Sequence, residues 1–496
     1  MKKQQRSKAK AECASSAKHS NTWKEIDFSK CECKVRKLQI RIAKAQKKKR
    51  YNKVRALQHL LVTSYEAKAL AVRKVTSNKG KRTAGVDHVL WDTDARKVNA
   101  LCSLKRRGYR ALPLKRVNIP KKNGKMRPLG IPTMRDRAMQ ALYLMALEPV
   151  TETTADANSY GFRKFRSTAD AIDALHRWLS RDCSPQWILE GDIKGCFDHI
   201  SHEWLLDNVR IDKHILGKWL KSGVVFNKLL QPVVEGTPQG GIISPTLANA
   251  ALDGMERILK EKYKVSYIEG RLYHPKVHCV RYADDFIVTA DKRKTLEDIK
   301  HMLTRFLEKR GLMLSEEKTL ITHISEGFDF LGFNVRKYNG TLIIKPSKKS
   351  QKRFTVKLHE IILAKGKALS QQELIGKLNP IIQGWGNYYS HVVSKEVFCR
   401  CDQVLINQIK RWAYRKHTDK SREWIRNKYF IRDGNRSWIF GLEYVCGGIK
   451  DKFILRKLAD IPIRRHVKVK CEANPFDPSW DTYFERRKRK YACQRA

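Results

Sequence analysis

The chain has 496 residues, 42% of them hydrophobic, with 102 Lys and Arg against 50 Asp and Glu, a formal net charge of +52. That length supports roughly two to four domains with an ample core, and an excess of cations spread along the whole chain argues against a merely soluble surface and for a polyanionic partner, because each Lys or Arg laid against a phosphate releases counterions. A basic N-terminus without an apolar core, the lack of any apolar run of membrane-spanning length, and twelve cysteines without a CxxC pair argue against a secreted, membrane-embedded or zinc-ribbon protein; free thiols in the cytoplasm are expected.

Residues 1–20 are Lys, Gln, Ser and Ala with almost no large apolar side chain, and read as a disordered basic arm. From Cys33 to Thr76 apolar residues recur at helical spacing (Leu38, Ile42, then Val54, Leu57, Leu61), which predicts two basic amphipathic helices with a break near Lys48. The stretch 117–131, Val-Asn-Ile-Pro-Lys-Lys-Asn-Gly-Lys-Met-Arg-Pro-Leu-Gly-Ile, places Asn123-Gly124 between alternating flanks and predicts a β-hairpin. It carries Lys121 and Arg127, either as one more basic surface hairpin or as a rigid ribbon that holds a triphosphate. A buried helix is expected over 136–149 and another over 167–179, opened by Ser167.

The stretch 187–200, Trp-Ile-Leu-Glu-Gly-Asp-Ile-Lys-Gly-Cys-Phe-Asp-His-Ile, reads as an apolar strand that delivers Asp192 at its end, then a turn and a short helix. Phe197 is either core or a ring laid over a sugar. In 236–250, Gly-Thr-Pro-Gln-Gly-Gly-Ile-Ile-Ser-Pro-Thr-Leu-Ala-Asn-Ala, Ser244 is a natural N-cap and Pro245 a first-turn residue. The Gly-rich loop before that helix lets backbone approach a ligand, and Gln239 is its one amide side chain, able both to donate and to accept. The stretch 280–288, Val-Arg-Tyr-Ala-Asp-Asp-Phe-Ile-Val, reads as strand, tight turn, strand. Asp284 and Asp285 repel each other there; either the turn is fully solvated or a hard divalent cation offsets the repulsion.

Residues 295–310 form an amphipathic helix closed by Gly311, followed by Leu314-Ser-Glu-Glu-Lys318. A hairpin begins at Phe328, turns at Asn339-Gly340 and ends near Pro346. From Ser347 to about Thr418 the composition becomes helical and basic with interleaved aromatics (Trp385, Tyr388, Tyr389, Trp412, Tyr414), rings that serve either the core or a nucleic-acid grip. Domain boundaries are placed near Lys345 and near Gly434; short strands, the stretch 474–484 and a basic tail follow the second.

Acids on two strands, a basic hairpin, a Gly-Gln loop and a late lysine together suit nucleotidyl transfer to a polynucleotide end, in which two Mg²⁺ ions activate a 3′-hydroxyl and stabilise leaving pyrophosphate. The motifs Arg127-Pro-Leu-Gly-Ile-Pro132, Gly191-Asp-Ile-Lys-Gly-Cys-Phe-Asp198, Gly236-Thr-Pro-Gln-Gly-Gly241, Tyr282-Ala-Asp-Asp285 and Leu314-Ser-Glu-Glu-Lys318, in this order, closely resemble those of bacterial group II intron-encoded reverse transcriptases, or maturases, of the chloroplast-like lineage, over residues 21 to 487. The resemblance implies an α+β right-hand polymerase: an N-terminal extension and the start of the fingers over 21–110, fingers and a palm with an antiparallel sheet over 111–345, an α-helical maturase thumb (domain X) over 346–433, and a small DNA-binding region over 434–496. It implies Asp192, Asp284 and Asp285 as catalytic acids with Lys318 at the leaving group. Metal ligands would be Asp192, Ile193, Asp284 and Asp285, holding two Mg²⁺ for which Mn²⁺ substitutes. Phe197 would test the sugar 2′ position, Lys121 and Arg127 would meet the phosphates, and Ile193, Gln239, Gly240 and Tyr282 would complete the substrate site.

Implied partners are intron RNA, an RNA template with a DNA primer, target DNA and dNTPs, with no membrane, and implied roles are copying RNA into DNA, splicing and retrohoming. Relatives with the tail Ala473-Asn-Pro-Phe-Asp-Pro-Ser-Trp480 often continue into an H-N-H nuclease. Its absence here predicts no bottom-strand cleavage and a primer from elsewhere, such as a nascent strand. Two other readings stay open: a splicing-only RNA-binding maturase, and a domesticated reverse transcriptase in defence or repair. Intron domains V and VI in the flanking DNA would separate them.

Overall fold

Four antiparallel strands at the centre of the molecule divide its interior into two cores. The computed structural model describes residues 22–493 except 121–123, 125, 227–228, 232, 234, 238–239, 269 and 447–448. The expected basic arm, Lys121 and Gln239 therefore lie outside the described residues. The central sheet runs in the order Leu320–His323, Trp187–Gly191, Asp285–Ala290, His278–Tyr282. Side chains alternate across it as strand geometry requires: Leu189, Cys279 and Val288 enter one core, Ile188, Val280 and Ile287 the other.

The first core is closed by a helical layer. Helices Phe28–Lys47, Tyr51–Thr63 and Tyr65–Thr76 rest on the long helix Met134–Thr154. The expected break after Lys47 is present, and a second, unexpected one lies at Ser64, whose Oγ accepts from the Ala67 amide at 3.3 Å and caps the third helix. Apolar periodicity runs through that break, so spacing alone does not reveal it. Helix Met134–Thr154 is buried on nearly every face and continues through Pro149, beyond the expected end. The fingers sheet (Met126–Ile131, Leu114–Pro120, Val224–Phe226, Leu229–Gln231) contains the expected hairpin, with Ile119 opposite Arg127. Helix Ser244–Leu252 starts one residue earlier than its expected cap allows: Ile243 is the N-cap and Ser244 the first helical residue.

The second core joins the palm to the thumb. The hairpin Phe333–Tyr338 with Thr341–Pro346, flanked by Phe328–Phe330, seats Phe333 against Tyr388, Tyr389 and His391. Helices Lys348–His359, Gln371–Tyr389, Lys395–Lys416 and Arg422–Tyr429 follow. Trp412 and Tyr389 are core, while Tyr388 and Tyr414 are exposed. Gly434 sits in the turn between strands Phe430–Asp433 and Arg436–Cys446, and this sheet is tied to the thumb because Gln371 Nε2 donates to Tyr429 O and Gly441 O. The boundary expected near Gly434 thus falls within a hairpin.

The last segment crosses back over both cores. Asp170, in the first turn of helix Thr168–Leu179, accepts from the Val469 amide at 2.7 Å, from Arg487 Nη2 at 2.8 Å, and lies 2.9 Å from His466 Nε2. Burial alone would raise its carboxyl, but His466, Arg487 and the Val469 amide hold it down at about 2. Further along, Arg36 of the first helix donates to Pro475 O at 3.2 Å and pairs with Asp481.

Candidate active site

The acids meet because two neighbouring strands end together. Gly191 lies opposite Phe286, so Asp192, one residue past its strand, sits beside Asp285, the first residue of the next. Tyr282 pairs with Asp285, which leaves Ala283 and Asp284 as a two-residue turn. Ala283 adopts φ +59°, a left-handed conformation that favours glycine and costs an alanine on the order of 1 kcal/mol.

That turn is held from behind by a buried polar network that sequence reasoning missed. Arg281, 2% exposed, donates to Asn249 Oδ1 at 3.0 Å and to Ala283 O at 3.3 Å, and pairs with Asp253. Its backbone joins the 158–160 segment: Arg281 N donates to Asn158 O at 3.0 Å and Tyr160 N to Arg281 O at 2.9 Å. Gly161 then passes so close that a Cβ would stand 2.4 Å from Ala283 N. The one signal for this network was an arginine at an inward strand position between Val280 and Tyr282, where apolar residues are the rule.

Burial comes first and the neighbouring carboxylates second in setting the charge of the cluster. Both Asp284 and Asp285 have raised proton affinity. Asp285, which also shares a hydrogen bond with Asp192, is pushed up to about 7. Arg127 and Lys318 oppose the shift on Asp284, so the fingers hairpin brings its arginine within electrostatic reach of the acids. Lys318 Nζ donates to Asp192 Oδ2 at 2.7 Å, and this bond raises the lysine's own proton affinity. The lysine's loop is placed by backbone pairing: Ser315 N donates to Asp192 O at 2.8 Å, Lys194 N to Met313 O at 3.0 Å, and Ile193 bridges Leu314.

Phe197, half-buried, follows the left-handed Gly195 in the short helix Cys196–His199, and its carbonyl accepts from Thr237 N. At the far end of the Gly-rich loop, Gly240 has φ +118° and approaches the fingers strand so closely that a Cβ would lie 2.6 Å from Gly130 O. Ile193 is buried, and Tyr282 is half-buried beneath the turn.

Among the described residues no three His, Cys, Asp or Glu converge into a cage able to hold a metal by themselves. A hard divalent cation needs no such cage, because it can take one or two carboxylates and complete its shell with water and substrate phosphates. The donor set fits a hard divalent cation: all oxygen, crowded enough to raise its own proton affinity, and relieved by added positive charge. No helix among the described residues is long and apolar enough to cross a membrane.

Three family models match the chain in succession: an N-terminal domain of reverse transcriptase over residues 23–104, a reverse transcriptase (RNA-dependent DNA polymerase) over 119–335, and a group II intron maturase-specific domain over 351–430. Protein YkfC of Escherichia coli is 37% identical over 308 residues, covering 55% of this chain and 81% of that protein. The group II intron-encoded protein LtrA of Lactococcus lactis is 34% identical over 346 residues, so the match spans little more than half of either chain, 57% of each. Among solved structures, a telomerase from Candida tropicalis aligns with a TM-score of 0.39 at 14% identity, over 65% of this chain and 69% of that one. A reverse transcriptase domain requires divalent cations and works on nucleic acid. With its right-hand α+β architecture and these three domains in order, the chain belongs to the group II intron reverse transcriptase and maturase family.

Proposed function

We propose that the protein is an RNA-directed DNA polymerase that also binds group II intron RNA to promote its splicing and retrohoming. The observation that carries the polymerase reading is the meeting of Asp192 with Asp284 and Asp285 at adjoining strand ends, where burial and then the neighbouring carboxylates push Asp285 up to about 7. Two Mg²⁺ ions, or Mn²⁺ in their place, would supply activation of the primer 3′-hydroxyl and neutralisation of the leaving pyrophosphate. Asp192, Asp284 and Asp285 would hold them, with Ile193 alongside.

The other residues bind and orient. Arg127, together with Lys121, would meet the triphosphate of the incoming dNTP. Phe197 would lie under the sugar and exclude a 2′-hydroxyl, and Gly240, Gln239 and Tyr282 would line the nucleotide. Lys318 would move from Asp192 onto the leaving group and place a proton or a positive charge there. The net charge of +52 and the maturase-specific match over 351–430 support the intron-binding role, with the thumb as its principal surface.

Primer extension on an RNA template tests the reading directly. DNA synthesis from dNTPs is expected with Mg²⁺, with none in its absence and little from NTPs. Extension that needs no divalent cation, or none at all by a protein that still promotes splicing, would overturn the polymerase half and leave an RNA-binding maturase.

A further inference from the structure

Phe162 is 54% exposed and has φ +59°, a backbone conformation that a bulky side chain seldom adopts. Exposure forfeits much of the burial of a large ring and the dihedral is strained, so the fold itself gains little from this residue; such outliers persist where the surroundings impose them. Here they do. Before it, Gly161 lies jammed against the Ala283 turn and its carbonyl accepts from Asn249 Nδ2 at 2.8 Å. After it, the Arg163 guanidinium donates to Glu152 at 2.9 and 2.6 Å, to Asp156 O at 2.7 Å and to Ser159 O at 2.8 Å.

What the clamp holds up is a ring facing Phe197: the two centroids are 6.3 Å apart with the planes at 75°. Phe165, three residues on, shares the left-handed backbone and the exposure, but its ring lies against Phe484 of the C-terminal helix at 4.8 Å. Phe165 thus serves a seam within the fold, and Phe162 serves the site.

We propose that Phe162 is a positioning residue for sugar selection: its ring fixes the Phe197 ring in the orientation that excludes a 2′-hydroxyl. The proposal rests on the role given to Phe197 above. An unbuttressed phenyl chooses among staggered χ1 wells, and each well that swings it off the sugar admits a ribonucleotide. An edge-to-face neighbour favours the one well that keeps the contact.

The test compares kcat/KM for a dNTP and the matching NTP in Phe162→Ala, Phe162→Tyr, Phe197→Ala and the Phe162→Ala/Phe197→Ala double variant. Phe162→Ala is expected to lower the dNTP:NTP ratio about tenfold, through a gain for NTP rather than a loss for dNTP. Phe162→Tyr keeps the ratio, and the double variant matches Phe197→Ala alone because one ring acts through the other. An unchanged ratio in Phe162→Ala beside a lowered one in Phe197→Ala, or additive losses in the double variant, overturns the pairing alone. An unchanged ratio in Phe197→Ala overturns the role of Phe197 and the pairing with it. Phe162→Gly, which the left-handed backbone accommodates without strain, is the second variant should alanine impair folding.

Discussion

Two aspartate sites share the palm and are built in opposite ways. Asp285, buried beside like charges, is pushed up to about 7, whereas Asp170, also buried, is drawn down to about 2 by His466, Arg487 and a backbone amide. The second site is satisfied by the protein itself and fastens one part of the chain to another. The first is left in a conflict that Lys318 offsets only in part. Local conflict of this kind is what a ligand site costs a fold.

The contrast breaks most sharply at Asp284. Asp284→Ala is expected to cut primer extension at least about 10³-fold while RNA binding measured by filter retention stays within a few-fold. Next comes the fastened site. Asp170→Ala removes the buried carboxylate that His466, Arg487 and the Val469 amide share and should cost about 3–5 kcal/mol, read as a large fall in melting temperature. Lys318→Met should slow extension about 10²-fold, and Lys318→Arg by less, in single-turnover assays.

The pH dependence then sharpens the comparison, because the two sites carry opposite signs. Asp170 is lowered in the fold, so its contribution is present above the ordinary carboxylate range near 3.8 and is lost as pH falls toward 2. Asp285 is raised, so in the metal-free protein its contribution is present below about 3.8 and is lost as pH rises through about 7. Divalent cation should therefore raise the melting temperature more at pH 8 than at pH 6, with up to about a tenfold change in apparent affinity per pH unit below 7. Asp285→Asn should flatten that dependence. The smallest effect belongs to the thumb surface: Lys428, stacked 4.5 Å over the exposed Trp424, is one cation among many. Lys428→Ala should lower the salt dependence of RNA binding by about one unit of slope.

Local chemistry was legible in the sequence wherever one residue type does one job. Apolar, β-branched and aromatic runs around 187–191 and 280–288 marked the strands, Asn339-Gly340 marked its hairpin, and Gly311 closed its helix, because turn and strand preferences act over a few residues. The pairing of the 187–191 and 285–290 strands joins segments nearly a hundred residues apart and was reachable only through the motif set. What stayed hidden depends on long-range partners. Arg281 looks like a surface arginine until Asn249 and Asp253 are placed beside it, and Phe162 looks like core until its backbone is seen. Ser64 divides a helix without disturbing its apolar stripe, and the hairpin around Gly434 is not announced by residue types that turns and other connections share.

The return of residues 466–487 across the molecule carries a consequence for how the protein is made. The partners that satisfy Asp170, and the residue that pairs with Arg36, leave the ribosome hundreds of residues after the segments they grip. Palm and N-terminal layer must wait, half-fastened, until residues 466–487 have been made, and a nascent chain stalled before His466 would present Asp192, Asp284 and Asp285 on a body still open at the seam.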